Sequence, residues 1–348
     1  MYPYLSIYLI VSLLAFAAKS RQQGMLLAGI FSLFIALFAG TRIWVGCDYF
    51  GYLMRFQGIG QFPGWTELLS EGEAGFQGLS IFLKSNDFSY SALIFICSSL
   101  YMFCLFRFSR LARWPLALLV LCFPILVIQL GMSGMRQALA TGFLLLSISS
   151  FVEGRRLWVA VWILVAWQFH TSAIMFLPLI MLVGKNISAP RIALALALLG
   201  PVVILLAQDR FEVYSERYIQ QSYGENASSG AWLRYAVIVV CFTSFRWRYH
   251  AVKAQHPELF ELLRLFMFIG IALLPMGLLS TVALHRMVFY VLPVAILAVL
   301  VAAATLRGSM RSAFLFGAIF SFGAYMFVWF SYSRHARICY IPYDSWFF

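Results

Sequence analysis

Five short polar stretches of this sequence hold side chains that bind anions, side chains that can carry a proton, or both. The longest runs from Thr41 to Phe56 and holds Arg42, Asp48, Tyr52 and Arg55; the others are Arg136-Gln137, His170-Thr171, His285-Arg286 and Arg334-His335. Arginine offers a fork of donors that fits phosphate or carboxylate, and His170 and Asp48 are the residue types that act as general bases. If the segment after Gly46 is helical, Asp48, Tyr52 and Arg55 fall at i, i+4 and i+7 on one face, which could hold a polar ligand. The same spacing fits a plain interfacial ion pair between Asp48 and Arg55 that closes a loop. Likewise His170 fits either a base or a core histidine that finishes a helix turn. There is no CxxC and no HExxH, so spacing gives no metal site.

These islands sit in an apolar chain. Of 348 residues 63% are hydrophobic and only 11% charged, and the mean hydropathy is +0.87, which excludes an ordinary soluble domain and predicts a polytopic membrane protein. Apolar runs recur every 25 to 30 residues or so, the period of spanning helices rather than of barrel strands. The first run, from Met1, lacks a basic leader and a cleavage site and reads as a retained helix. A formal charge of +12 could suggest nucleic acid, but the basic residues form small clusters between apolar runs, as the positive-inside rule requires. Nucleic acid is therefore not expected as a partner. Cys97, Cys104, Cys122 and Cys241 lie in apolar runs and read as packing residues, whereas Cys47 and Cys339 share one side, where either a bridge or free thiols would fit.

The pattern predicts one all-α domain over residues 1–348 with about twelve transmembrane helices and both termini outside. Basic links at 19–23, 107–114, 153–157, 184–191, 246–261 and 307–311 mark the cytoplasmic side. Outside lie an interfacial segment at 41–89, with Glu67, Glu71, Glu73 and a short helix at 76–83, a loop at 208–231, and a C-terminal tail at 331–348. This arrangement puts 15 of the 25 Lys/Arg but only 3 of the 13 Asp/Glu inside. The arms on either side of His170 have only about 13 residues, or roughly 20 Å, against a hydrocarbon core of roughly 30 Å. His170 should then lie below the outer surface. Every polar island falls on that outer side, and ionisable residues at membrane depth are costly enough to mark function.

Taken in order, several short runs resemble the EpsG family of Wzy-like polymerases of exopolysaccharide and O-antigen repeat units. They are Val45-Gly46-Cys47-Asp48-Tyr49 with Tyr52 and Phe56, Glu73-Ala74-Gly75-Phe76, Met135-Arg136-Gln137-Ala138-Leu139-Ala140, Phe169-His170-Thr171-Ser172-Ala173, Arg286 before Tyr290 and Pro293, and Tyr340-Ile341-Pro342-Tyr343. Met135 departs from the Ile more usual before the arginine. The resemblance implies a GT-C-like membrane glycosyltransferase in the bacterial cytoplasmic membrane, working on its outer face without metal or other cofactor. Donor and acceptor would be undecaprenyl-diphosphate-linked oligosaccharides, with membrane lipid and a chain-length regulator protein as further partners. A diphosphate leaving group needs cations in place of a metal, so Arg136 and Arg286 are expected catalytic residues beside His170 and Asp48. Arg42, Arg55, Tyr52, Gln137, His285, Arg334, His335, Tyr340 and Tyr343 are expected to bind substrate, although Tyr residues also suit the interfacial belt. A ligase using the same donor would need similar arginines. A flippase or secondary transporter would need gates on both sides and acidic coupling residues in mid-membrane, which this sequence lacks.

Overall fold

The structure, a computed structural model, describes residues 1–60, 73–184, 187–215 and 229–347, with backbone alone at 206–215 and 229. The regular elements of the described residues are all helices, and their one extended pairing is an isolated antiparallel bridge between Arg42 and Ser345. Among the described residues six helices are long and apolar enough to cross a membrane: Arg21–Gly40, Tyr90–Ser109, Met135–Val152, Pro257–Leu279, Thr281–Ala304 and Gly308–Tyr332. Shorter apolar helices stand between them, including Tyr2–Ala17, Pro115–Gly131 and Arg156–Phe169. The chain divides into two compact units, one of residues 1–145, 165–170 and 312–348, the other of 146–164 and 171–311.

Local chemistry sets many of the boundaries. Ser20 caps Arg21–Gly40 by accepting from the Gln23 amide, and Ser280 caps Thr281–Ala304 by accepting from Ala283, each satisfying an end amide that has no partner inside the helix. In the first unit, Pro115–Cys122 is α-helical and Phe123–Gly131 continues with π geometry, every residue buried. Pro124 has no N–H to give the α ladder, which is where the wider winding sets in. In the second unit, Thr281–Ala304 is apolar on all sides and packs against Ser229–Trp247 and Pro257–Leu279, as a helix without a polar face must.

The first unit closes with the C-terminal tail against residues 38–47. Ile43 N–H donates to Asp344 O at 2.9 Å, Trp346 N–H to Thr41 O at 3.1 Å, and Gly46 N–H to Cys339 O at 2.7 Å. Thr41 and Ser345 share a hydroxyl hydrogen bond at 2.8 Å, Tyr343 stacks on Phe38 with centroids 4.1 Å apart, and Cys47 is disulfide-bonded to Cys339.

Two elements differ from what the sequence predicts. The arm after His170 is a 3-10 turn over Thr171–Phe176 followed by the short helix Leu179–Leu182, because Pro178 disfavours helical backbone at Leu177 and offers no donor. The helix expected to stop at Ala207 runs over Ala189–Ser215; hydropathy marks where apolarity ends, and the backbone winding continues past that point. The short helix expected over 76–83 is present and spans Ala74–Ser85, 12 residues and so about 18 Å, too short to cross. Glu67, Glu71, Lys185, Tyr218 and the rest of 216–228 lie outside the described residues.

Candidate functional site

The most concentrated buried charge among the described residues lies in the first unit, where Glu73 holds Arg136 on one carboxylate oxygen and His170 on the other. The Glu73 Oε2 to Arg136 NH1 distance is 2.5 Å and the Glu73 Oε1 to His170 Nδ1 distance 2.7 Å. The side chains of Glu73 and His170 are 7% and 8% exposed, that of Arg136 26%. Burial alone would push the Glu73 carboxyl up, but the hydrogen bond from His170 and the charge of Arg136 overrule it and hold it down at about 2. An ionised carboxylate only accepts, so Nδ1 of His170 carries the proton between them.

Three elements bring these groups together. Glu73 stands immediately before the Ala74–Ser85 helix. Gly75 lets that helix press on the end of Arg156–Phe169: a Cβ there would sit 2.8 Å from Gln168 Cβ and 3.0 Å from Gln168 O. His170 follows that helix directly, its N–H donating to Ala166 O at 3.0 Å. Arg136 is the second residue of Met135–Val152, so the positive end of the helix dipole adds to its own charge. Its guanidinium lies 5.7 Å from the centre of the Tyr52 ring, and its amide approaches the Tyr52 hydroxyl at 3.5 Å.

The expected residues fall in different places. Asp48 precedes the Tyr49–Gln57 helix and accepts from Ser133 Oγ at 3.2 Å; that hydroxyl, not Arg55, is its partner. Tyr52 is buried on the same helix, and Arg55 borders a narrow cleft with Tyr52, Phe56, Phe76 and Gln77. Arg42 is 2% exposed and donates to the carbonyls of Val45 and Ala39 and to Ser98 Oγ, so it satisfies backbone that the helix end leaves open. Gln137 follows Arg136 and is half-buried. The Tyr340 hydroxyl donates to Gln129 O at 3.3 Å and the Tyr343 hydroxyl to Phe38 O at 2.5 Å, both holding the tail. Arg334 and His335 are exposed on Arg334–Tyr340.

In the second unit, Arg234 NH1 lies 2.6 Å from His285 Nδ1 and its guanidinium 5.1 Å from the Phe289 ring centre. Arg286 is the sixth residue of its helix, not an opening one, because Ser280 starts the helix early; the dipole there is largely spent. Tyr290 and Ser172 share a hydroxyl hydrogen bond at 2.9 Å.

Sequence reasoning missed Glu73 as a site residue and Arg234 as the partner of His285. The signal for Glu73 was its place before Ala-Gly-Phe at the head of an amphipathic helix; for Arg234 there was none. Among the described residues no three His, Cys, Asp or Glu side chains gather as a metal ligand set.

No curated protein and no solved structure matches the chain. Residues 25–345, nearly the whole length and all of the Arg136, Glu73 and His170 cluster, match the EpsG family. With its apolar helices and this match, the chain is a multi-pass membrane protein and belongs to the EpsG family of Wzy-like polysaccharide polymerases.

Proposed function

We propose that this chain joins undecaprenyl-diphosphate-linked oligosaccharide repeat units on the outer face of the bacterial cytoplasmic membrane, transferring the growing glycan from its lipid diphosphate to the end of an incoming unit. The observation that carries the reading is the buried Arg136, Glu73 and His170 cluster: a histidine oriented by a carboxylate, beside a cation at a helix N-terminus. In the reaction an acceptor sugar hydroxyl attacks the anomeric carbon of the donor. The bond from that carbon to the diphosphate oxygen breaks, the diphosphate leaves with the electron pair, and the hydroxyl proton passes to His170. With Nδ1 committed to Glu73, Nε2 is the nitrogen that takes it. Glu73 uses one of the five guanidinium donors of Arg136, and the others suit a diphosphate oxygen. Arg286 is carried into this scheme from the sequence as the second arginine expected on the diphosphate, and two such cations would supply the charge that a metal would otherwise bring. The full arrangement is a GT-C-like protein of about twelve spans with the site and both termini outside.

Purified protein given lipid-linked repeat units should produce a ladder of lengthened glycans. Replacing either Arg136 or Arg286 with Ala should slow it about 100- to 1,000-fold, by analogy with removal of one oxyanion donor, and Lys should restore part of the rate because it keeps charge and loses the fork. Wild-type ladders from both Ala variants at equal expression would refute the arginine clamp. Vectorial movement of lipid-linked units with no ladder would make the protein a transporter instead.

Sidedness has its own check. Single cysteines placed in residues 208–231 should react with an impermeant maleimide in intact cells, while those at 246–253 should not. The reverse pattern would turn the protein over and remove the site from the outer face.

A further inference from the structure

The C-terminal tail leads by a chain of short contacts to Arg136. The disulfide from Cys339 ends at Cys47, on a loop that the tail holds by the Gly46 to Cys339 and Ile43 to Asp344 backbone bonds. That loop touches the turn before Arg136 at two points. Gly46 has a φ of +108°, and a Cβ there would lie 1.9 Å from Met132 O, so only glycine admits the approach. Next along, Asp48 accepts from Ser133 Oγ at 3.2 Å. Met132 and Ser133 end the turn from which the Arg136 helix starts. The same loop opens the Tyr49–Gln57 helix, whose Tyr52 lies under the Arg136 guanidinium. Both faces of Arg136, the turn behind it and the ring beneath it, are therefore set by a loop that the tail fastens covalently.

We propose that Cys47 and Cys339 are positioning residues: their disulfide, through the strap of residues 339–347, holds Arg136 in register with Glu73, so that polymerisation depends on the oxidised strap. The inference rests on the polymerase reading for its activity arm alone. Forming the bond takes two electrons and two protons from the paired thiols, received by a disulfide-bearing oxidant through a mixed disulfide; a dithiol or phosphine reductant reverses it. Cys47 is exposed, which opens the bond to a water-borne reagent, and only an oxidising compartment keeps such a bond.

The test uses the full chain in lipid nanodiscs, oxidised or treated with a phosphine reductant, with mass spectrometry reporting the thiols. On reduction the amides of residues 132–136 should exchange hydrogen faster, and chain extension should lose about 10- to 100-fold in kcat, the cost of a catalytic group displaced by about 1 Å. Oxidised glutathione should restore both. A Cys47→Ser/Cys339→Ser variant should match the reduced protein and ignore the reductant, at a temperature where circular dichroism shows it fully helical. In Arg136→Ala, reduction should cost no further activity, which a general loosening of the fold would not explain. Unchanged exchange at 132–136 with both thiols free overturns the proposal, as does a kcat loss matched by an equal loss of folded protein. Faster exchange in a wild-type protein that lengthens no lipid-linked unit leaves the strap standing and removes the polymerase reading instead.

Discussion

Glu73→Gln should leave a protein that inserts and folds but lengthens repeat units about 1,000- to 10,000-fold more slowly than wild type. The amide keeps the size of the carboxylate and loses its charge, and it can present an N–H where His170 Nδ1 now donates. Histidine would then lose both its fixed tautomer and the anion that stabilises it when it accepts a proton; a carboxylate-to-amide change behind a catalytic histidine costs about 10,000-fold in the serine proteases. Arg136 would lose its ion pair with Glu73 as well. Glu73→Asp should recover part of the rate, since it keeps charge while shortening the reach. The carboxyl is held at about 2 against an ordinary 4.5. Its contribution to stability is therefore complete above about 4.5 and is lost as pH falls from there towards about 2. Thermal melts of wild type and Glu73→Gln should then converge on acidification through that window and keep a constant gap above it. Full-length polymer from Glu73→Gln at equal expression would show that the carboxylate merely packs.

What the sequence disclosed follows from the range of each interaction. The helical, multi-pass character of the chain and the short helix after residue 73 were readable because apolarity is local. The residues of the cluster were in view too, His170 and Arg136 as site candidates and Glu73 as one acid among several. Their meeting was not, because Glu73 is 63 positions from Arg136 and 97 from His170, and only the close approach at Gly75 closes that gap. Arg42 shows the converse. Its charge and expected outer position match those of Arg136, yet its donors go to the Ala39 carbonyl at the end of Arg21–Gly40 and to the Val45 carbonyl in the loop beyond, a role that residue type cannot distinguish. Tyr340 and Tyr343 likewise turn their hydroxyls to backbone, at Gln129 and Phe38, and so fasten the strap. Hydropathy also says nothing of winding, so neither the 3-10 turn after His170 nor the extension to Ser215 could be read from it.

His170→Gln should bind lipid-linked donor with near wild-type affinity and lose transfer about 100- to 10,000-fold, the range of a general base. Glutamine can keep a hydrogen bond towards Glu73 from a similar length of side chain, but it cannot hold the acceptor proton near neutral pH. The effect should therefore fall on kcat and spare the donor KM. His170 and Glu73 act in this scheme as one unit, so the double variant Glu73→Gln/His170→Gln should be hardly worse than the slower single one, as linked catalytic groups behave. Two independent roles would instead multiply the losses. A His170→Gln protein with wild-type kcat would move the base elsewhere. Asp48 then comes first, because it is exposed and ionisable on the helix that carries Tyr52, and Asp48→Asn in the same assay would decide it. If that variant also retains full rate, His335 or the departing diphosphate must take the proton, and Glu73 is left with one task, holding Arg136.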